Sequence, residues 1–309
     1  MITFDHVSKR YGVHQALSDI SFTAEKGQIV GLLGQNGAGK TTAMNILTGC
    51  LAPSDGAVRV GGHDVLTAPR EAKRLIGYLP EAAPLYDEMT VGAYLRFVCE
   101  LKEVSSGAIA AHVADVAARA GLTAELPRKI GNLSKGYRQR VGMAQALCGS
   151  PEALILDEPT AGLDPRQSSE MCALVKSLSG EHTVLLSSHI LSEVQSVCDR
   201  VLILHHGKII CDSALSALRC GEKRLRAVIA CGEGALLPAL RTLRSVRRVT
   251  VERGGEPGTT TVVLTAAEGE GVERELFRLL SGMQTPLIRL APVEDSLEEV
   301  FLRATREAG

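Results

Sequence analysis

The stretch GQNGAGKT, Gly34 to Thr41, decides the fold. It follows the apolar run QIVGLL, which predicts a strand, and precedes TTAMNILTGC, whose composition favours a helix. The spacing G-x-x-x-x-G-K-S/T between a strand and a helix is typical of a phosphate-binding loop. Glycines in such a loop let consecutive backbone N–H groups point inward and bind an anion. The stretch therefore predicts an α/β fold with a phosphate site at the end of one strand.

Each residue of this loop has a predicted role in holding phosphates. Lys40 is predicted to reach the terminal phosphates, the Thr41 hydroxyl to bind Mg²⁺, and Thr42 to add a donor near the helix start. The remaining loop residues are predicted to surround the phosphates with their backbone: Gly34, Gln35, Asn36, Gly37, Ala38 and Gly39. A glycine-rich turn that matches by chance is the alternative, and the flanking strand and helix argue against it.

Two acidic residues follow the apolar run LIL. Asp157 ends a predicted buried strand, where its carboxylate can hold Mg²⁺ through the water around the ion. Glu158 comes next, and its carboxylate can orient or deprotonate a water that attacks the last phosphate. Acidic residues after strands are also common in polar turns, and Pro159 would enforce such a turn here. On these residues alone both interpretations stay open.

A histidine and a tyrosine are further candidates. His189 ends the apolar run VLLSSH, where its ring could hydrogen-bond the last phosphate and sense whether it is present. Tyr11 stands near the end of an early strand, where its ring could stack on adenine. A purely structural histidine and a surface turn residue beside Gly12 are the alternatives.

The stretch LSKGYRQR, Leu133 to Arg140, is a poor start for a helix. Ser134 is suited to cap the helix that follows, and Gly136 adds backbone entropy. Lys135, Arg138 and Arg140 crowd the positive end of the helix dipole, where each cation costs roughly 0.3–1 kcal/mol. We therefore expect these cations to help form a site for an anion that comes from elsewhere.

Composition bounds the class of protein. The chain has 309 residues, 45% of them hydrophobic and 22% charged, and its formal net charge of −1 gives no general attraction to nucleic acid. The 8 cysteines contain no CxxC pair, which argues against a zinc site and suits a reducing cytoplasm. The strand-like start MITFDHVSKRYG is not a signal peptide, and no apolar run is long enough to span a membrane.

Two domains are predicted. Residues 1–220 contain apolar strands separated by helices, which indicates a mostly parallel sheet buried on both faces. Residues 56–79 are predicted to give further strands, AVRVGGHDV and LIGYL, broken by Gly and Pro, and the Ala-rich region from Thr90 to about Gly121 is predicted to be helical. After Gly221 the pattern reads β-α-β-β-α-β with a terminal helix, so residues 221–309 predict a small α+β ferredoxin-like domain. The loop GGEPG, 254–258, supplies the turn between its middle strands.

These motifs, in this order, resemble the nucleotide-binding subunit of an ABC transporter. The resemblance is carried by GQNGAGKT, LSKGY, LILDE, AGLD at 161–164 and His189, and it covers residues 1 to about 217. The segment PVEDSLEEVFL, Pro292 to Leu302, resembles the ends of exporter-type members in bacteria and archaea. The resemblance implies the P-loop ABC ATPase fold, in which antiparallel β and helical subdomains accompany the parallel sheet.

The resemblance also implies a site shared by two chains. Family members sandwich two MgATP head to tail, so Ser134, Gly136 and Asp164 are expected to meet ATP that is held by another chain. Lys40, Glu158 and His189 are expected to catalyse its hydrolysis. Lys135 and Tyr137 stand where the family often has Gly and Gln, but Ser134 and Gly136 are intact.

A second departure falls in IGYLPE, Ile76 to Glu81. The family usually has a glutamine at the position of Glu81, where it touches Mg²⁺ and its water. A carboxylate can still accept hydrogen bonds and bind a hard cation, but it cannot donate. The expected metal ligands are therefore Thr41, Asp157 and Glu81.

The function implied is that of an ATPase that powers export by a separate membrane permease. The helical region around 81–121 would transmit motion to the permease. The second subunit would be another copy or a homologous ATPase, and the pair would lie on the inner face of the cell membrane. The alternatives are a soluble ABC ATPase that acts on ribosomes or DNA, and a regulatory subunit without catalysis. A single nucleotide domain and near-neutral charge argue against the first, and the intact catalytic residues against the second.

Overall fold

A computed structural model of the chain describes residues 1–216, 223–252, 258–266 and 271–293. One unit is Met1–Ala214, and the other contains the described residues from Leu215 to Val293. The predicted boundary after residue 220 falls within residues 217–222, which lie outside the described ranges. The assignment of the second unit as an accessory domain stays a prediction.

The strand before the phosphate loop lies inside a six-stranded sheet. Its strands are β3 (Ile29–Leu33), β6 (Ile76–Leu79), β7 (Ala153–Asp157), β8 (Thr183–Ser188), β9 (Arg200–His205) and β10 (Lys208–Ala214). Their order is β10-β9-β3-β8-β7-β6, and all are parallel except β10, which pairs antiparallel with β9. Strands β3, β7 and β8 are buried along their whole length, which explains why apolar residues predominate in them.

Parallel pairing collects the predicted site residues at one edge of this sheet. The phosphate loop follows β3, Glu158 follows β7, and His189 follows β8. The register sets Leu33 opposite Ser188, while Asp157 lies opposite Ser187. Because the carboxyl ends of parallel strands meet at the same edge, residues far apart in sequence become neighbours there.

This unit also contains a four-stranded antiparallel sheet, whose strands come from the first part of the chain. Its strands are β1 (Ile2–Tyr11), β2 (His14–Ala24), β4 (Asp55–Val60) and β5 (His63–Asp64), in the order β2-β1-β4-β5. Phe4 and Phe22 stack with ring centroids 4.5 Å apart. Both belong to one core with Leu47 and Ile155, so the two sheets share apolar packing. The β1–β2 hairpin brings Tyr11 opposite His14.

The helices of this unit follow the prediction except at one place. They are α1 (Lys40–Leu47), α2 (Pro69–Leu75), α3 (Val91–Leu101), α4 (Ile109–Arg119), α5 (Lys135–Leu147), α6 (Pro165–Ser177) and α7 (Leu191–Val197). The prediction for residues 56–79 named only the strands in AVRVGGHDV and LIGYL, and it missed α2 between them. Only Ala72 of this short helix is buried, so the sequence carries no helical apolar period there. Helices α3, α4 and α5 pack together and form the helical region.

The second unit has the predicted β-α-β-β-α-β order. Its elements are β11 (Lys223–Ile229), α8 (Glu233–Leu240), β12 (Val246–Glu252), β13 (Thr260–Ala266), α9 (Val272–Gly282) and β14 (Leu287–Val293). The strands form one antiparallel sheet in the order β12-β13-β11-β14, which is the ferredoxin-like arrangement. Leu240 and Leu280 pack in one core with Val262 and Leu264 of the sheet.

Two predictions fall on residues outside the described ranges. These are most of the GGEPG turn and the segment from residue 294 to the end, with its predicted terminal helix. Among the helices that the structure describes, none is both long enough and apolar enough to cross a lipid bilayer.

Candidate active site

A cleft of about 510 Å³ opens at the carboxyl edge of the parallel sheet. It is lined by Tyr11, His14, Ala16, Gln35, Asn36, Gly37, Gly39, Lys40, Thr41, Thr42, Glu81, Glu158, Ala161 and His189. The structure thus brings together most of the predicted loop residues, all three residues expected to catalyse hydrolysis and the predicted adenine-stacking residue. Nothing in the sequence indicated that His14 or Ala16 would line the cleft, and Ala161 entered only as the first residue of AGLD.

The phosphate loop is packed so tightly that two of its positions accept only glycine. A Cβ on Gly34 would lie 2.5 Å from the carbonyl oxygen of Leu204, and one on Gly39 would lie 2.7 Å from that of Ala16. Gly39 also has a φ of 110°, which L side chains rarely adopt. The loop therefore packs closely against the surrounding backbone, and Ala38 within the loop is buried. A cradle of this shape fits a chain of phosphates.

Lys40 is a buried cation at the start of α1. Only 6% of the residue is exposed, and Nζ donates to the carbonyl oxygen of Gly34 at 2.7 Å. Nζ also lies 3.4 Å from Oε1 of Glu158. The N-terminus of α1 adds partial positive charge at the same place. An anion that enters the cleft therefore meets a cation and a helix dipole together.

One serine hydroxyl links the carboxylate of Asp157 to the backbone of Glu158. Ser187 Oγ donates to Asp157 Oδ1 at 2.5 Å and accepts from the Glu158 N–H at 2.9 Å. Asp157 is only 2% exposed, and this burial raises its pKa. The charges of Glu158 and Glu81 raise the pKa further, while the Ser187 hydrogen bond opposes the shift. A hard cation would relieve this crowding of negative charge, so the residues fit Mg²⁺.

Ser187 is a site residue that sequence analysis missed. It belongs to the run LLSSH, and a serine near a strand end carries no signal by itself. Its role follows from the register, which sets it opposite Asp157 on the neighbouring strand. The signal that could have found it is the pairing of the LILDE and LLSSH runs as adjacent parallel strands.

Glu158 is held on both of its carboxylate oxygens. His189 Nδ1 lies 2.8 Å from Oε2, while the Lys40 ammonium lies near Oε1. Glu158 also has a φ of 48°, a left-handed conformation that costs energy for a residue with a side chain and is concentrated at functional sites. His189 therefore contacts the carboxylate that is predicted to activate water. Its predicted contact with a phosphate stays a prediction.

The mouth of the cleft carries Tyr11 and Glu81. Tyr11 is 49% exposed, with the ammonium of Lys9 5.3 Å from its ring centroid. Glu81 is also exposed to solvent, in the segment that follows β6. Both side chains are accessible to a ligand that enters the cleft.

Three predicted site residues lie elsewhere. None of Ser134, Gly136 and Asp164, all within the described ranges, lines the cleft. Ser134 caps α5 by accepting from the Tyr137 N–H, and Asp164 caps α6 by accepting from the Gln167 N–H. We call the surface formed by these two helix starts the α5–α6 surface.

The two helix starts of the α5–α6 surface are in contact. A Cβ on Gly136 would lie 2.6 Å from the Gln167 side chain, and the Lys135 ammonium lies directly against Gly162. LSKGY and the end of AGLD therefore form one continuous surface of a single chain, whereas Ala161 at the start of AGLD lines the cleft.

The expectation that the cations of LSKGYRQR form an anion site is wrong for two of them. Arg138 pairs with Asp87 at 2.6 Å, and Arg140 pairs with Glu170 at 2.5 Å. Their charges are therefore neutralised by carboxylates from distant parts of the sequence. These arginines fix α5 to its neighbours, and their charge is not reserved for a ligand.

Comparison with known proteins identifies the family to which this chain belongs. A family profile described as "ABC transporter" matches residues 17–161. The ABC transporter ATP-binding protein NatA of Bacillus subtilis (strain 168) is 39% identical over 72% of this chain and 93% of its own length. The chain belongs to the ABC transporter ATP-binding proteins. Its nucleotide-binding fold and its ATPase class follow from that membership.

Two further ABC proteins extend the similarity. The linearmycin resistance ATP-binding protein LnrL of Bacillus subtilis (strain 168) is 31% identical over 99% of this chain and 98% of its own length. A solved structure of an ATP-binding subunit of an ABC transporter aligns with a TM-score of 0.65 and 29% identity, covering 71% of this chain and 92% of that one. The similarity to LnrL therefore includes the second unit.

We expect Asp157→Asn to stabilise this ABC protein without nucleotide while abolishing turnover. The pKa of Asp157 is higher in the folded state than in the unfolded state, so ionisation of this carboxyl opposes folding. Stability is therefore lost as the pH rises from the pKa of the unfolded state to that of the folded state. An amide removes the charge but can still accept from Ser187. Denaturant unfolding at pH 7 should show a gain of roughly 0.5–2 kcal/mol.

The pH dependence of this gain checks its cause. Wild type and variant should converge as the pH falls below the usual range of a carboxyl, because both side chains are then neutral. Ser187→Ala in the same assay should lower stability, since it leaves the buried carboxylate without a donor. A variant less stable than wild type at pH 7 would contradict this account of the site.

Proposed function

We propose that this protein is the ATP-hydrolysing subunit of an export-type ABC transporter, that it works as one of a pair, and that a separate permease crosses the membrane. One observation carries the proposal. The cleft holds Lys40, Glu158 and His189, whereas Ser134 and Gly136 lie on the α5–α6 surface of the same chain. A second chain can supply that surface to the cleft, and the site is then complete.

The proposed binding of ATP uses the residues around the cleft. The Tyr11 ring stacks on adenine, and the loop backbone from Gly34 to Thr42 surrounds the phosphates. The Lys40 ammonium exchanges its contacts with Gly34 and Glu158 for the terminal phosphates. Thr41, Asp157 and Glu81 would hold a Mg²⁺ ion, which would neutralise phosphate charge.

The proposed hydrolysis is an in-line attack of water on the γ-phosphorus. The water oxygen forms a bond to phosphorus while the bond to the β-phosphate oxygen breaks, which releases ADP and phosphate. Glu158 orients the water and accepts its proton on a carboxylate oxygen. His189 holds that carboxylate in place through Nδ1, and Lys40 stabilises the charge that develops on the phosphate oxygens.

The second chain completes the charge stabilisation. Its Ser134 hydroxyl, Gly136 N–H and α5 dipole approach the γ-phosphate, and its Asp164 lies in the same interface. ATP then favours the closed pair because its γ-phosphate makes these contacts only there, and hydrolysis lets the pair open. The partner is a second copy or a homologous ATP-binding subunit.

The proposed docking place for the permease is a groove of about 620 Å³ between α2 and α3. Tyr86, Phe97 and Leu101 line it, and Leu101 is 67% exposed. A neighbouring pocket shares Pro84 with this groove and includes Pro80, directly before Glu81. A partner that moves in the groove would therefore move close to Glu81, which lines the ATP cleft.

The direction of transport is proposed as export. The sequence resemblance is to exporter-type members, and one relative that matches over nearly the whole length is named as a resistance protein. The subunit would then lie on the cytoplasmic face of the membrane, attached through its permease.

The experiment that tests this function is copurification from native membranes. Tagged wild-type protein should bring down an integral membrane protein, and Leu101→Asp should lower its yield at least about ten-fold. ATPase activity of the isolated Leu101→Asp subunit should remain, because Leu101 lies outside the cleft.

Leu66→Asp is the matched control, since Leu66 is also an exposed leucine and does not line the groove. It should copurify the membrane protein as wild type does. Equal yields for Leu101→Asp and wild type would overturn the docking place. A ribosome or DNA in place of a membrane protein would overturn the transport function.

A further inference from the structure

Glu193 of α7 lies outside the cleft but touches both segments that carry the catalytic side chains. Thr160 Oγ1 donates to Glu193 Oε2 at 2.7 Å. Ser188 Oγ donates to the same oxygen at 3.1 Å. Both hydroxyl-bearing residues are buried, whereas Glu193 itself is half-buried. One carboxylate oxygen therefore joins the segment after β7 to the end of β8.

Each of these hydroxyls stands next to a residue of the proposed hydrolysis. Thr160 comes two residues after Glu158, in the segment that leads to Asp164 and the α5–α6 surface. Ser188 directly precedes His189, and its Oγ also accepts from the Ile190 N–H at 3.0 Å. The Glu193–Ser188 contact therefore constrains the backbone on both sides of His189.

The chemistry of the contact favours a rigid link. A carboxylate oxygen that accepts two hydroxyl donors makes charge-assisted hydrogen bonds, which are shorter and stronger than neutral ones. Removing the acceptor would leave two buried hydroxyls without this partner, and the segments could then move independently. The distance between Glu158 Oε2 and His189 Nδ1, 2.8 Å in the structure, depends on both segments.

We propose that Glu193 is a positioning residue for hydrolysis. It ties the segment Thr160–Asp164 to the segment Ser188–His189, so that a second chain arriving at Asp164 tightens the contact between Glu158 and His189. The inference rests on the proposed function, because it assumes that Glu158 and His189 act on ATP. It adds a route from the α5–α6 surface to the catalytic pair within one chain.

The test compares Glu193→Leu with Glu193→Gln in the purified protein. Leucine removes the acceptor, and kcat should fall at least about ten-fold while the dissociation constant of ATP stays within about two-fold. Glutamine keeps an amide oxygen that can accept from both hydroxyls, so it should restore most of the activity. Glu181→Leu, on the surface and paired with Arg119, is the control and should keep wild-type kcat.

A double-mutant cycle separates positioning from general stability. Thr160→Val and Ser188→Ala each remove one donor, and each should cost much less in a Glu193→Leu background than in wild type. A folded Glu193→Leu protein with wild-type kcat would overturn the inference, as would a Gln variant as slow as the Leu variant. If Glu193→Leu does not fold, the test uses a double variant that combines Thr160→Val with Ser188→Ala. A wild-type kcat in this double variant would overturn the inference.

Glu158→Gln in the same assay distinguishes failure of the positioning role from failure of the proposed hydrolysis. If Glu158→Gln loses turnover while the Glu193 variants do not, only the positioning role fails. If Glu158→Gln turns over at the wild-type rate, the proposed hydrolysis itself fails.

Discussion

Glu158→Gln is expected to lower the turnover number of ATP hydrolysis about 10²–10⁴-fold, the range that a general base contributes. Glutamine has nearly the same shape and can still contact His189, but its amide cannot accept the proton of the attacking water. ATP binding should remain or become tighter, since the variant frees Lys40 from its contact with Oε1 of Glu158. Turnover and ATP affinity are measured separately, the second by equilibrium titration.

The same variant should also accumulate as a dimer when ATP and Mg²⁺ are present. ATP favours the closed pair, and a chain that cannot hydrolyse ATP cannot leave that state. Size-exclusion chromatography with and without ATP reports this directly. Glu152→Gln, an exposed residue outside the cleft, is the control and should behave as wild type. Near-normal turnover would show that Glu158 is not the base, and a monomer with ATP bound would contradict the closed pair.

The parts of this site that were predictable from sequence are those coded by local patterns. The phosphate loop has a fixed spacing, and the runs LILDE and LLSSH end in polar residues after long apolar strands. Parallel pairing then predicts that their ends meet at one edge, as Lys40, Glu158 and His189 do in the structure. The second unit was predictable for the same reason, because its helices and strands keep their own periods.

The parts that were not predictable depend on partners distant in sequence. Arg138 and Arg140 look like ligand-binding cations until Asp87 and Glu170 appear beside them. Serine hydroxyls are equally uninformative, since Ser187 gains its role only from the strand opposite. No spacing rule connects such pairs, because the tertiary fold alone brings them together.

The position of His189 shows a third kind of limit. A strand-end histidine near a phosphate site suggests a direct contact with the ligand. In the structure its Nδ1 lies against Glu158, which follows the neighbouring strand β7. The role of such a histidine therefore depends on which neighbouring side chain contacts its ring. That contact depends on side-chain rotamers, which the sequence pattern does not encode.

Ser134→Glu is expected to separate folding from function, because its effects on the two have opposite signs. A carboxylate at the start of α5 interacts favourably with the helix dipole, worth roughly 0.3–1 kcal/mol. Little capping is lost, since Ser134 accepts from the Tyr137 N–H at a long 3.5 Å. Thermal stability should therefore be unchanged or slightly higher. ATP affinity of the single chain should also be unchanged, because Ser134 does not line the cleft.

Turnover in Ser134→Glu should nevertheless fall about 10²-fold or more. In the closed pair the new carboxylate would face the γ-phosphate of the other chain, and two like charges 4 Å apart repel by about 4 kcal/mol at an effective dielectric constant of 20. Specific activity of wild type should rise with protein concentration as pairs form, whereas that of the variant should stay low. Ser105→Glu, an exposed serine in another loop, controls for added charge. Full activity in Ser134→Glu, or wild-type activity independent of protein concentration, would mean that one chain contains the whole site.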